Sequence, residues 1–340
     1  MALVRGAPLR GALIPLRKRR TGRGWTLGAY VGRRLLWMVP VLLFVIFITF
    51  FLGHIAPGSP WDKEGRQLSP ATIRDLNIKY GLDQPVWTQF GYYLWNVLHF
   101  DFGTSYQHPG QSVNSLLAAT WPPTLILGSV SFVVIIVFGI SLGVVAALRQ
   151  NSMIDYAAVG LATIGASVPN FVVGIVLIII LSNELYKLTG GNFFLPTSGY
   201  PQDPIHMIMP VATLSFLPIA FLARLARSAT LDALRQDYVR TAWAKGLRER
   251  LVVTRHVLKN SLIPVVTTAG PLFAGLITGS VIVETVFTIP GIGRTYVQSI
   301  DARDYPMILG TTILYAALVA ALNLIVDVAY VFIDPRVRLE

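Results

Sequence analysis

Asp237-Tyr238-Val239-Arg240-Thr241-Ala242-Trp243-Ala244-Lys245-Gly246 reads as a short basic helix, rich in small residues and closed by a glycine. Apolar stretches at about 205–226 and 262–288 flank it, each near the roughly 20 residues that cross a bilayer core. Leu231, Leu234, Tyr238 and Ala242 recur at helical spacing, which predicts a helix over 231–246 with Gly246 as its C-terminal cap. Thr241, Ala242, Ala244 and Gly246 are expected to form a small surface that another protein can approach closely. A second amphipathic stretch at 248–260 then leads into Pro264. From the residues alone, two occupants of this surface stand open: a partner protein, or lipid beneath a basic surface helix.

The rest of the chain belongs in a membrane. Of 340 residues, 54% are hydrophobic and 13% charged, against about 25% charged in soluble proteins. Six apolar stretches are predicted to span, at about 30–54, 124–148, 156–185, 205–226, 262–288 and 307–333. The first is read as a retained span, because its apolar run over 35–52 exceeds the roughly 7–15 residues of a signal-peptide core. The fold class is therefore all-α and integral to the membrane, with six transmembrane helices. With both termini in the cytoplasm, 21 of the 28 Lys and Arg residues fall inside, as the positive-inside bias requires. The outer seven are Lys63, Arg66, Arg74, Lys79, Lys187, Arg294 and Arg303. The net charge of +11 thus follows the membrane, and nucleic acid is not an expected partner. Residues 1–28, with Arg17-Lys18-Arg19-Arg20, read as a basic cytoplasmic tail, either lying on anionic lipid or acting as a solvated topology signal. Residues 29–340 form the transmembrane domain, with an outer loop over about 56–120 and a cytoplasmic loop over about 227–261.

The outer loop carries helix signals of its own. Ser69-Pro70 is an N-cap followed by proline at the first helical position; Ile73, Leu76 and Tyr80 share a face; Gly81 stops the helix. Asp83-Gln84-Pro85 opens a second helix bearing Trp87, Phe90, Tyr93, Leu94, Trp95 and Leu98. Aromatic residues at this density suit a membrane–water boundary. Trp87, Phe90 and Trp95 are candidates for a platform that receives an extracytoplasmic protein, and a cap lying on the bilayer is the other reading.

The spans hold few ionisable groups, which disfavours a proton- or ion-coupled carrier. Asp327, one turn beyond Asn323, is expected to be a structural carboxylate satisfied by a partner near the cytoplasmic end of the last span. Glu184 and Glu284 are expected at outer ends, within reach of water. His206 and His256 are isolated, so no metal site is expected, and the absence of cysteine removes disulfides and thiolate sites. No Gly-x-x-x-x-Gly-Lys-[Ser/Thr] occurs, so no ATP-binding P-loop is present and no catalytic residue is assigned. Breakers stand inside spans at Pro169-Asn170, Pro210, Pro218 and Gly270-Pro271, a pattern tolerated where helices or water satisfy the freed backbone.

From about Tyr30 to Arg338 the chain closely resembles the permease subunits of bacterial ABC importers, in the dipeptide/oligopeptide (peptide/nickel) subfamily. The family's cytoplasmic signature, Glu-Ala-Ala followed by three residues and Gly, falls on Arg240, Thr241, Ala242 and Gly246; Arg240 replaces the acid, and Lys259 stands where the family has a later proline. The peptide-type variant matches Asp237-Tyr238-Val239-Arg240-Thr241-Ala242 with Ala244-Lys245-Gly246. Further matches are His54-Ile55-Ala56-Pro57-Gly58-Ser59-Pro60, Asp101-Phe102-Gly103-Thr104-Ser105, Glu284-Thr285-Val286-Phe287, Pro290-Gly291-Ile292-Gly293, Asp304-Tyr305-Pro306 and Asp334-Pro335-Arg336. The resemblance implies a type I importer permease in a bacterial plasma membrane. It implies a second homologous permease, two ABC ATPase subunits that carry ATP and Mg, and an extracytoplasmic solute-binding protein, with no cofactor in this chain. ATPase coupling would fall on Asp237, Tyr238, Arg240, Thr241, Ala242, Lys245 and Gly246. Peptides are the expected cargo, with nickel chelates, glutathione or oligosaccharides as alternatives on the same scaffold. A secondary transporter or channel acting without an ATPase is the alternative of another class.

Overall fold

The computed structural model describes residues 27–55, 58–61, 68–198 and 203–333; residues 1–26 of the basic tail over 1–28, Ala56-Pro57 and Asp334-Pro335-Arg336 lie outside the described residues. In chain order the helices are α1 (Leu27–Ile55), α2 (Pro70–Lys79), α3 (Val86–Leu98), α4 (Val113–Leu148), α5 (Met153–Ser167) and α6 (Asn170–Leu188). They continue as α7 (Pro204–Leu234), α8 (Asp237–Ala244), α9 (Glu249–Ile277), α10 (Val281–Val286), α11 (Ile292–Asp301) and α12 (Tyr305–Ile333). Six of them, α1, α4, α6, α7, α9 and α12, are long and apolar enough to cross a membrane.

α4 and α7 form the centre of the bundle, and small residues let them approach. A Cβ added at Gly128 would lie 2.6 Å from the Leu276 carbonyl oxygen on α9, and one at Gly139 would lie 2.9 Å from Leu222 Cβ on α7. Without a hydrophobic force between helices in lipid, such backbone-close packing and interhelical hydrogen bonds hold a bundle together. Ser215 Oγ donates to the Ser131 carbonyl at 3.3 Å. Leu127, Ile135, Leu214, Leu222, Val265 and Phe287 fill the core between these helices.

Four boundaries differ from the sequence expectation. α4 begins at Val113, ahead of the expected 124, and runs through Pro122 and Pro123. The carbonyls those prolines orphan belong to Ala118 and Ala119, both exposed, so water or headgroups can satisfy them. The third stretch is cut in two: Val168 is extended before Pro169, α5 ends and α6 begins. At 1.5 Å per residue α5 is about 22 Å long, too short to cross alone. The helix of the fourth span continues to Leu234, so the cytoplasmic loop is shorter than 227–261. The fifth span stops at Ile277, where Gly279 takes φ +105° and the chain turns back into the short α10.

The outer loop is folded. Ser69 accepts from the Thr72 N–H as the cap of α2, and Gly81 ends the helix at φ +69°. Trp61, Tyr80 and Tyr106 cluster with ring centroids 4.8–5.5 Å apart, and Trp61 Nε1 donates to Asn77 Oδ1 at 2.8 Å. α3 lies along the outer end of α1. Phe90 sits 5.7 Å from Phe47, 5.3 Å from Phe50 and 5.7 Å from Phe51, each such pair adding about 0.5–1.5 kcal/mol beyond its buried area.

Candidate coupling and outer-face sites

α8 is a separate helix. Gln236 is extended at ψ 148°, which breaks the helix expected to run unbroken over 231–246. Asp237 then lies in the first turn of α8, where a carboxylate favours the helix dipole. At the other end the Gly246 N–H donates to the Trp243 carbonyl and the Leu247 N–H to the Ala242 carbonyl, the paired bonds of a Schellman cap. Gly246 sits at φ +73° with nothing within 4 Å of a built Cβ, so backbone conformation, not space, calls for glycine.

One face of α8 is internal. Val239 and Ala242 pack with Ala233, Val252 and Val257, flanked by Leu234 and Leu247. Ala242 is 4% exposed. The expectation that Ala242 offers surface to a partner is corrected: its small size fits α8 against its own chain. Asp237, Tyr238, Arg240, Thr241, Ala244, Lys245 and Gly246 are exposed, and so is Trp243, which the sequence reading left out of its site. Thr241 Oγ1 donates back to the Asp237 carbonyl at 2.9 Å, and Arg240 lies 3.7 Å from Asp237 in a solvated pair of little energetic weight. The free surface is therefore aromatic and basic: Tyr238 and Trp243 beside Arg240 and Lys245.

Above α8, Arg227 on α7 donates through Nε and Nη2 to the buried carboxylate of Asp155 on α5, at 2.5 and 2.8 Å. The hydrogen bonds from Arg227 first, and the Asn151 N–H second, hold the Asp155 carboxyl below the ordinary carboxylate range. A lowered value means the tie contributes stability above the ordinary pKa and loses it only as pH falls through the lowered one. At the same end of the bundle Asp327 on α12 receives Arg34 Nη2 at 2.5 Å and the Tyr30 hydroxyl at 3.1 Å, both from α1. Asp327 is thus a partnered structural carboxylate, as expected.

The outer end is organised by two buried acids. Glu284, expected within reach of water, is 0% exposed. Thr124 Oγ1 donates to its Oε1 and the Arg294 N–H to its Oε2, each at 2.9 Å, while the Ile292 N–H donates to Thr124 Oγ1. The turn at Gly279 folds α10 back and carries this carboxylate inward; a Cβ at Gly291 would overlap it. Asp304 receives Ser105 Oγ and the N–H of Tyr106, the latter at 3.1 Å, and so ties the start of α12 to the outer loop. Gln107 Nε2 adds bonds to the carbonyls of Pro60 and Ala302. Of the three platform candidates, Trp87 and Trp95 are 68% and 62% exposed. Phe90 faces α1, a correction to its place on a receiving surface. Among the described residues no group of three His, Asp or Glu side chains is placed to hold a metal ion.

The described chain is thus a bundle with six helices long and apolar enough to cross a membrane and a short capped helix exposed between two of them. Residues 28–128 match the N-terminal family model for binding-protein-dependent transport system membrane components, and residues 139–339 match the model described as the binding-protein-dependent transport system inner membrane component. The chain belongs to this family. Among its relatives, the dipeptide transport system permease protein DppB of Bacillus subtilis is 40% identical, covering 92% of this chain and 98% of that protein. The oligopeptide transport system permease protein OppB of Escherichia coli is 40% identical, covering 91% and 99%. DppB of Lactococcus lactis is 38% identical, covering 91% and 99%.

Proposed function

We propose that this chain is the permease subunit of an ATP-driven importer of di- and oligopeptides in a bacterial plasma membrane. The observation that carries it is full-length identity of 40% to one dipeptide and one oligopeptide permease. The chain forms half of a translocation pathway with a second, homologous permease. Two ATPase subunits supply ATP and Mg, and the exposed face of α8, centred on Tyr238, Trp243, Arg240 and Lys245, docks on one of them. Burial of Val239 and Ala242 and the Schellman cap at Gly246 support α8 as a firm lever. On the outer side Trp87 and Trp95 receive the solute-binding protein at the lipid boundary, with Phe90 as the wedge that seats their helix on α1. The Arg34–Asp327 pair supports a mechanism without proton coupling, since that carboxylate already has its cation.

The test is uptake by the complete complex in vesicles. Labelled di- and tripeptides should accumulate with ATP and binding protein, and do so equally after the proton gradient is collapsed. Accumulation of a nickel chelate, glutathione or an oligosaccharide in place of peptide would move the cargo. Uptake without ATP that vanishes on collapse, and that Asp327→Asn frees from the gradient, would make Asp327 a coupling site and overturn the mechanism.

A further inference from the structure

We infer that Asp155 is a positioning residue for energy coupling, fastening α5 to α7 so that displacement of α8 reaches α5 directly. The inference rests on the permease reading above and adds a route through the chain.

α5 is the one long described helix of the transmembrane domain that does not span, and it is cut from α6 at Val168-Pro169. It therefore cannot be moved by continuity of a helix. It packs on α4 and, more extensively, on α7, the helix that leads through Leu234 towards α8. Three contacts step up the pair. Asp155 takes Arg227 at the cytoplasmic end. Two turns on, Arg224 Nη2 donates to the Ala162 carbonyl at 3.0 Å. A turn further, Gly165 allows Ala220 close, a built Cβ coming within 2.8 Å of Ala220 Cβ.

Between the first two contacts lies a cavity of about 210 Å³ lined mainly by small residues such as Ala158, Ala162, Ala223 and Gly143, with Val159, Thr163 and both arginines completing it. Apolar packing alone is thus thin at this seam, and the polar ties carry the registration. Asp155 is itself set by its neighbours: Ser152 Oγ accepts from its N–H, and the N–H of Asn151, at φ +63°, donates to Oδ2. A carboxylate positioned from its own helix and bonded twice by the next one transmits displacement in both directions. Removing the carboxylate leaves Arg227, whose side chain is only partly buried, without its partner.

The experiment measures ATP hydrolysed per peptide imported by the complete complex in vesicles. Asp155→Asn should raise that ratio on the order of fivefold, within the usual range of coupling effects, while assembly and basal ATP hydrolysis persist. Exchanging the pair, Asp155→Arg with Arg227→Asp, should bring the ratio back towards the unmodified value. A merely structural role would lower uptake and stimulated hydrolysis together at constant ratio, and that result overturns the inference. Should Asp155→Asn fail to assemble, Arg224→Gln decides: a raised ratio supports the seam, and an unchanged one overturns it. Absence of ATP-dependent uptake in the unmodified complex would instead contradict the permease reading itself.

Discussion

The outer end of this bundle and the seat of α8 at its cytoplasmic end are built on opposite principles. At the outer end, buried acids bind hydroxyls and backbone N–H groups: Glu284 draws in the Thr124 hydroxyl and the N–H of Arg294, and Asp304 draws in the Ser105 hydroxyl and the N–H of Tyr106. At the cytoplasmic end, α8 is held by an apolar seam of Val239, Ala242, Val252 and Val257, and turns aromatic and basic side chains outward. The outer end closes its polar groups upon itself. The inner end leaves a surface over for something else. A lattice of buried hydrogen bonds specifies one arrangement and is costly to leave half-satisfied, whereas an apolar seam positions a helix without consuming its outward face.

That contrast can be broken most severely at the outer end. Glu284→Ala removes the acceptor of the Thr124 hydroxyl and of the Arg294 N–H, at about 1–3 kcal/mol for each donor. Thermal unfolding of the purified chain should drop by several degrees, and uptake should fall with it; an unchanged melting temperature would mean the lattice is not structural. Ala242→Leu should come next. Overpacking a filled seam costs about 1–3 kcal/mol, so α8 should become protease-sensitive in the isolated chain, with no ATPase present. Unaltered proteolysis there would return Ala242 to a partner-facing role. Gly246→Ala should cost about 1 kcal/mol from the left-handed backbone alone, loosening the end of α8 and lowering uptake modestly. Arg240→Ala should be mildest for stability, since its pair with Asp237 is solvated; a fall in affinity for the ATPase with an unchanged melting temperature would place it in the docking surface.

The sequence disclosed the spans because apolar runs need no partner to be recognised, and it disclosed the cap at Ser69 because capping is local. It misjudged features that depend on where the chain turns. Leu231 and Ala242 share a face only if one helix runs between them; the extended Gln236 resets the phase, and Ala242 points inward. Glu284 counts as an outer-end residue along a straight span, but the turn at Gly279 folds it back under Thr124. The small residues Gly279, Gly291 and Gly293 that crowd its carboxylate were the available signal. Phe90 looked equivalent to Trp87 and Trp95 because all three sit on one aromatic helix; Phe90 is half-buried against α1, while Trp87, its ring 4.9 Å from Phe51, still leaves most of its surface exposed. The ties of Asp304 to Ser105, and of Asp327 to Arg34, join residues far apart in the chain, which no local pattern encodes.

The division of α8 into an inward and an outward face is tested most directly by thiol labelling, since the chain has no cysteine of its own. Single cysteines at Tyr238, Trp243 and Ala242 would be exposed to a water-soluble maleimide in the isolated chain and in the complex with its ATPase subunits. The account predicts that Tyr238→Cys and Trp243→Cys label in the isolated chain and are protected in the complex, while Ala242→Cys labels in neither. Labelling of Ala242→Cys in the isolated chain, or undiminished labelling of Trp243→Cys in the complex, would contradict it.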